Sequence, residues 1–428
     1  MSPPYDSDIL PSVVLVERPS HSSPSMSFPI EVFENIIDHL WDEQDSLKAC
    51  TLVCKSWYPR SRLHLIGEVW LYDRKQVGQL AKLIRERPIY GDMVRNVAIR
   101  GGSDPAQRGP IPHLAAYAAM LARHLKQVEY IAISIADWKD SKLPPKIYLH
   151  LAEFTSVTML ELCYVTFSSI QEFGRLVFAF PNVKHLTCKD VVISKDSRSR
   201  SLPILSRGAG SDLVKLDLDG QSIHKLIDFF VSSNIIVNLK EIFLGEWFPL
   251  EIRDAETLRT QSLLRGAGKA LLYVDLSLTG GDLTPDATED MIQKHLSLSH
   301  NPNLSDVTLR MKIRTLRDVD FSWVSSVLSH ISSQVVEEIS ICFDSRGAEE
   351  NTVAPDAILQ VLDLEQCRKI DQLLSEPKFN KLTRLNFELW LSHDSGSFDD
   401  AEWPDAVLPQ FVHLGARNVI RAYISFNI

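Results

Sequence analysis

The sequence predicts an α/β protein: a small helical unit near the N-terminus, then a long solenoid with parallel strands inside and helices outside. Two observations carry this. A six-residue pattern, apolar-x-x-apolar-x-apolar, returns eleven times beyond residue 90, with helix-length amphipathic stretches between copies. The thirty residues from Phe28 to Trp57 instead keep helical periodicity, with more apolar surface than so short a unit can hide alone.

The leader before Phe28, residues 1–27, is rich in Ser and Pro and is expected to be disordered. A first helix follows, with Val32, Ile36 and Leu40 on one face and Phe33 and Ile37 beside them. Pro29 suits a first turn, and Glu31 and Glu34 favour the positive end of the helix dipole. In the run D-E-Q-D-S, Asp45 or Ser46 is available to cap a second helix. That helix places Leu47, Cys50, Thr51 and Cys54 at i, i+3, i+4 and i+7, with Leu52, Val53 and Trp57 alongside.

These residues resemble the F-box. Pro29, Glu31, Val32, Ile36, Ile37, Leu40, Leu47, Leu52, Val53, Cys54, Lys55 and Trp57 stand at the family's spacing, and Phe28 replaces its usual leading Leu. The resemblance covers 28–66 and implies docking on a Skp-type adaptor and, through it, a cullin-based ubiquitin ligase. The adaptor-binding residues it implies are Phe28, Pro29, Ile36, Leu40, Leu52, Val53 and Trp57, with Trp57 open to the alternative of internal packing.

From residue 67 to 428 the pattern starts at Val94, Val128, Val157, Val183, Leu213, Leu239, Leu271, Leu304, Val336, Leu382 and Val419. Helices are expected at Arg74–Arg87, Phe167–Phe180, Ser222–Ser233, Asp318–Ile331 and Asp356–Ser375. Arg60–Ile66 continues the last helix of the first unit, and Glu68–Tyr72 alternates like a strand, so no flexible linker separates the two parts. A strand plus a helix per repeat is the arithmetic of a leucine-rich-repeat-like solenoid, in which neighbours share a core that no repeat buries alone. The Asn usual after such strands is mostly missing, so irregular turns are expected. A generic α/β domain is the competing reading.

A net charge of −10 argues against a nucleic-acid scaffold. The one basic cluster, around Lys195, Arg198 and Arg200, reads as a solvated loop, a localisation signal or a phosphorylated loop. Gly101–Pro110 and the acidic His393–Pro404 are loops by composition. No run of eighteen apolar residues spans a membrane and no signal peptide is evident, which points to the cytoplasm, the nucleus or both. The six cysteines form no paired framework and no zinc spacing; buried thiols are the expectation.

Catalytic signals are weak, and no active site, metal or cofactor is expected. Gly266, Gly268 and Lys269 lack a phosphate loop's leading glycine and following Ser or Thr, with Leu263 and Ala270 in those places. His393, Asp394 and Ser395 are adjacent and cannot form a relay. Two functions stand: a substrate receptor of an SCF-type ligase, or a non-ligase scaffold that holds a Skp-type adaptor. A hydrolase or transferase is a distant third. Strand alternation puts the third, fifth and seventh pattern positions on the concave face, among them Asp217, Asp219, Glu241, Phe243, Tyr273 and Asp275, the expected target-binding residues. Their acids favour a basic segment on the target, which is otherwise unknown; solvated strand residues are the bland alternative.

Overall fold

The computed structural model describes residues 28–40, 43–194, 213–254, 259–279, 284–313, 321–345, 358–360, 362–391 and 401–426. The leader, the basic cluster, the start of the helix expected at Asp356 and the loop from His393 to residue 400 lie outside them. The chain divides into two compact units, Met1–Leu65 and Ile66–Ile428.

The first unit is helical: α1 (Ile30–His39), α2 (Gln44–Val53) and α3 (Tyr58–Gly67), which runs on past the division. Its core is small. Ile37, Leu47 and Cys50 are buried, with Leu40, Trp57 and Leu65 packed on them. Phe33 lies 5.2 Å from the Trp57 ring and completes the inward stripe of α1. Asp38 ties α1 to α3: it accepts hydrogen bonds from Arg60 and lies 2.7 Å from His64 Nε2. Those partners hold its carboxyl well below the usual aspartate range. Helix α2 starts two residues earlier than an Asp45 cap allows and three earlier than a Ser46 cap. Glu43 is its N-cap, and Ser46 donates back to the Glu43 carboxylate at 2.7 Å instead of capping.

The second unit is an α/β repeat-like fold around one large sheet. Its strands are β1 (Glu68–Leu71), β2 (Asn96–Arg100), β3 (Gly109–Pro110), β4 (Tyr130–Asp137), β5 (Met159–Phe167), β6 (His185–Lys189), β7 (Val192–Ile193) and β8 (Lys215–Asp219). They continue as β9 (Glu241–Leu244), β10 (Leu250–Glu251), β11 (Tyr273–Thr279), β12 (Asp306–Lys312), β13 (Glu338–Asp344), β14 (Arg384–Leu391) and β15 (Ile420–Phe426). The long strands follow one another across the sheet in chain order, from β1 to β15, with the two-residue strands β3, β7 and β10 off that path. Each pairing is parallel, which requires a crossover between neighbours.

The register explains the sequence pattern. The fourth pattern positions align from Val97 through Ile131, Leu160, Leu186, Leu216 and Ile242 to Leu385. The sixth align from Ile99 to Phe387 in the same way. Both rows are buried. They share one continuous core with the apolar faces of the intervening helices, which include Arg74–Glu86, Ile170–Ala179, Ile223–Ser232, Ser322–Ser329 and Leu364–Leu374. The helix expected from Phe167 starts later, because Phe167 still belongs to β5 and Ser169 is the N-cap, its hydroxyl accepting from Glu172 N.

Four consecutive turns share one device, and the later ones do not follow it. At the eighth position of four consecutive repeats the backbone enters the left-handed half of conformational space: Ile135 (φ 49°), Tyr164 (φ 56°), Asp190 (φ 49°) and Gly220 (φ 101°). In the first three the next residue, Ala136, Val165 or Val191, turns into the core and is fully buried. Strands β4 and β5 then resume pairing beyond the kink, Gly109 with Ala136 and Thr166 with Val192. Burial of the ninth residue thus replaces a side-chain amide in setting the turn. Gly220 is the tightest member, since a Cβ there would stand 2.7 Å from the Asp190 Cα. Gly220→Ala should therefore lower stability by about 2 kcal/mol or more, read as a shift in urea midpoint at unchanged m-value. An unshifted midpoint would show that the turn tolerates a side chain.

Candidate functional site

Two surfaces stand out, one on each unit. On the helical unit, apolar side chains that its small core cannot hold remain exposed: Phe28, Ile36 at 48%, Leu52 at 79% and Val53 at 59%. Ile30 and Val32 accompany them, and Pro29 is also exposed. Helix α1 thus carries two apolar stripes, Phe33–Ile37–Leu40 inward and Val32–Ile36 outward. Of the seven residues expected to bind an adaptor, Phe28, Pro29, Ile36, Leu52 and Val53 are available at the surface. Leu40 and Trp57 are half-buried and lie against the Ile37–Leu47–Cys50 core.

On the sheet, the third, fifth and seventh positions form polar rows on the face opposite the apolar ones. The register sets Lys215, Glu241 and Tyr273 side by side, then Asp217, Phe243 and Asp275, with Lys189 beside Asp219. Phe243 and Tyr273 are half-buried with ring centroids 5.0 Å apart. The Lys215 ammonium sits 4.1 Å from the Phe243 centroid and 3.9 Å from the Glu241 carboxylate. Lys189 Nζ lies 2.6 Å from Glu246, 3.7 Å from Asp217 and 4.5 Å from the centroid of Trp247.

The six residues expected to bind a target differ in what they can offer. Glu241, Phe243 and Tyr273 are partly exposed. Asp219 is 1% exposed: its carboxylate accepts from the backbone N–H groups of Trp247 (2.5 Å) and Phe248 (3.1 Å) and pins that turn to the sheet. Asp275 is likewise internal, in a buried ion pair with Arg310 at 2.7 Å. Asp217 is different. It is 8% exposed, and its Oδ1 has no hydrogen-bond partner.

The pattern rule missed the turn Gly245–Leu250. It brings Trp247 within 5.8 Å of the Tyr164 ring and leaves Trp247 and Phe248 exposed. The only signal was G-E-W-F-P, two adjacent aromatics in a glycine–proline turn after a strand. It also stopped short of a second cluster that the same seventh position reaches. Arg310 lies 4.4 Å from the Trp390 ring centroid, and Trp390 and Tyr423 both donate to Glu388, at 2.7 and 2.6 Å.

Burial governs the electrostatics. It pushes Asp217 up to about 6, with Glu246 and Asp219 adding to the rise and Lys189 opposing it. It likewise lifts Asp219 to about 6 against the backbone donors that favour the anion. Burial also raises the Cys163, Cys188 and Cys342 thiols, which disfavours thiolate chemistry there. Among the described residues, no group of three His, Cys, Asp or Glu side chains is placed to hold a metal ion, and no helix is long and apolar enough to cross a membrane. The arrangement suits recognition of a partner through aromatic rings and charge.

A comparison with protein-family models finds no match, and none of the curated proteins searched matches the chain.

A raised carboxyl pKa means that the folded state holds its proton more tightly than the unfolded chain. The ionised form of Asp217 therefore destabilises the fold above about pH 6, and that penalty fades as pH falls toward 4. Asp217→Asn should be more stable than the wild type at pH 7.5, by on the order of 1–3 kcal/mol, with the difference closing toward pH 4. Denaturant titrations at the two pH values measure it; a variant less stable at pH 7.5 would contradict the assignment.

Proposed function

We propose that the protein is the substrate-recognition subunit of an SCF-type ubiquitin ligase, with no catalytic centre of its own. In this reading the helical unit is an F-box that docks a Skp-type adaptor and so reaches a cullin. The α/β unit is a degenerate leucine-rich-repeat-like solenoid that holds the target protein. One observation carries the reading. The helical unit combines the F-box residue spacing between Phe28 and Trp57 with exposed Phe28, Ile36, Leu52 and Val53, more apolar surface than three short helices bury. Repetition of strand and helix supports the solenoid half, and the polar strand rows around Phe243 and Tyr273 supply the aromatic and charged groups that selective protein contacts use.

The test separates docking from folding. Leu52→Asp with Val53→Asp changes two exposed side chains and leaves the Ile37–Leu47–Cys50 core intact, so circular dichroism should be unchanged. Capture of a purified Skp-type adaptor should fall by about a hundredfold or more, the cost of charges placed in an apolar contact. Undiminished capture rules out this surface. Capture of adaptor without a cullin from the same mixture would favour the non-ligase scaffold instead.

Target recognition gives a second expectation. Phe243→Ala with Tyr273→Ala should weaken target capture about tenfold or more and leave adaptor binding untouched. Unchanged capture by that variant, together with loss on substituting the helical outer face, would move recognition off the strands.

A further inference from the structure

The turn Gly245–Leu250 leans back over the ends of β8 and β6 as a short strap between two fixed ends. At one end Gly245 donates to the Leu218 carbonyl at 3.1 Å. Its φ of 81° is left-handed, and a Cβ there would stand 2.9 Å from the Ser277 carbonyl oxygen. At the other end Leu250 pairs with Leu278 of β11. The four residues between belong to no strand and carry the exposed rings of Trp247 and Phe248.

One carboxylate holds the backbone of this strap. Asp219 Oδ2 accepts from Trp247 N at 2.5 Å, and Oδ1 accepts from Phe248 N at 3.1 Å. With both oxygens engaged by the strap, Asp219 is 1% exposed. Lys189, the cation that acts on it, is bonded elsewhere, to Glu246 at 2.6 Å. The other charged and titratable groups around it are Asp217 on its own strand, Tyr164 and Asp190 at the neighbouring turns, the Arg108 that pairs with Asp190, and Glu246 on the strap.

A carboxyl group closed off from water holds its proton more tightly than an open one. Burial outweighs the N–H donors and lifts Asp219 from the ordinary 3.8 to about 6. Raising the strap would uncover both oxygens and return the group toward its ordinary value. Closing therefore takes up a proton. The closed strap is favoured below about pH 6 and loses that advantage as pH rises.

We propose that the turn Gly245–Leu250 is a proton-linked strap, which uptake of one solvent proton by Asp219 fastens to the sheet and ionisation loosens, with Gly245 as the hinge. The protonated acid still accepts from the strap through its carbonyl oxygen. Its state decides whether Trp247 and Phe248 stand fixed beside Lys189 and Tyr164 or move off the face. The inference goes beyond the receptor reading, and its test needs neither adaptor nor target.

Hydrogen exchange of the full chain is read at the Trp247 and Phe248 amides at pH 5 and pH 7.5, each rate divided by the intrinsic rate at that pH. The amides of β11 serve as the internal reference. Relative to them, the two strap amides should be about tenfold better protected at pH 5 than at pH 7.5. Asp219→Asn keeps an acceptor oxygen but cannot ionise, so its protection should differ by less than about twofold between the two pH values. Asp217→Asn, which touches no strap amide, should keep most of the wild-type effect. Equal protection at both pH values in the wild type, or more at pH 7.5, overturns the proposal before any variant is made. A full effect in folded Asp219→Asn overturns it as well, because the proton would then sit on another group. So does complete loss of the effect in Asp217→Asn, which would make the pair of carboxylates, and not the one that holds the strap, the controlling group.

Discussion

A strand with one apolar side cannot bury it within its own repeat, and the architecture of the larger unit follows from that constraint. Parallel pairing lets each strand repeat the register of the last, so the fourth and sixth positions become two unbroken rows from Val97 and Ile99 to Leu385 and Phe387. Parallel pairing also requires a crossover, and the crossover helices cover those rows. The residues between them are left to the opposite face. That face collects side chains some thirty residues apart in sequence into adjacent columns, which is how Lys215, Glu241 and Tyr273 become neighbours.

The left-handed kinks at Ile135, Tyr164 and Asp190 belong to the same logic. A non-glycine residue in that region costs about 1–3 kcal/mol. Here each kink delivers Ala136, Val165 or Val191 to the core, and burial of an aliphatic side chain offsets a cost of that size. It also aims Tyr164 toward Trp247, so a turn device contributes to the candidate site.

Periodicity reported direction well and depth poorly. Each copy of the pattern lies on or leads into a strand, and the helices expected at Arg74 and Ser222 fall within a residue of their limits; the one expected from Asp318, whose start lies outside the described residues, ends two residues before Ile331. Alternation assigned Asp217, Asp219 and Asp275 to the polar face. It could not tell that Asp219 is consumed by a turn from the next repeat, or that Asp275 meets Arg310 across one strand. Those facts depend on which loops fold over the face, and loop paths leave no periodic trace. The same limit applies to α1, where spacing grouped Ile36 with Leu40, whereas the inward stripe is the one that meets Leu47 and Cys50 of α2, Trp57 and Leu65. The turn that four repeats share left little trace for a related reason: a missing Asn signals a lost hydrogen bond, while Ala136, Val165 and Val191 act through burial.

The two units divide the proposed work between a surface that is apolar and one that is aromatic and charged. An apolar surface serves a partner held for long periods; a polar face of paired charges serves selection among targets. The central claim is that the helical unit, and not the sheet, meets the adaptor. Hydrogen exchange of the full chain with and without a purified Skp-type adaptor tests it most directly. The account predicts slowed exchange across Ile30–His39 and Gln44–Val53, with β5 to β12 unchanged. Protection of those strands, or no protection of the two helices at saturating adaptor, would contradict it.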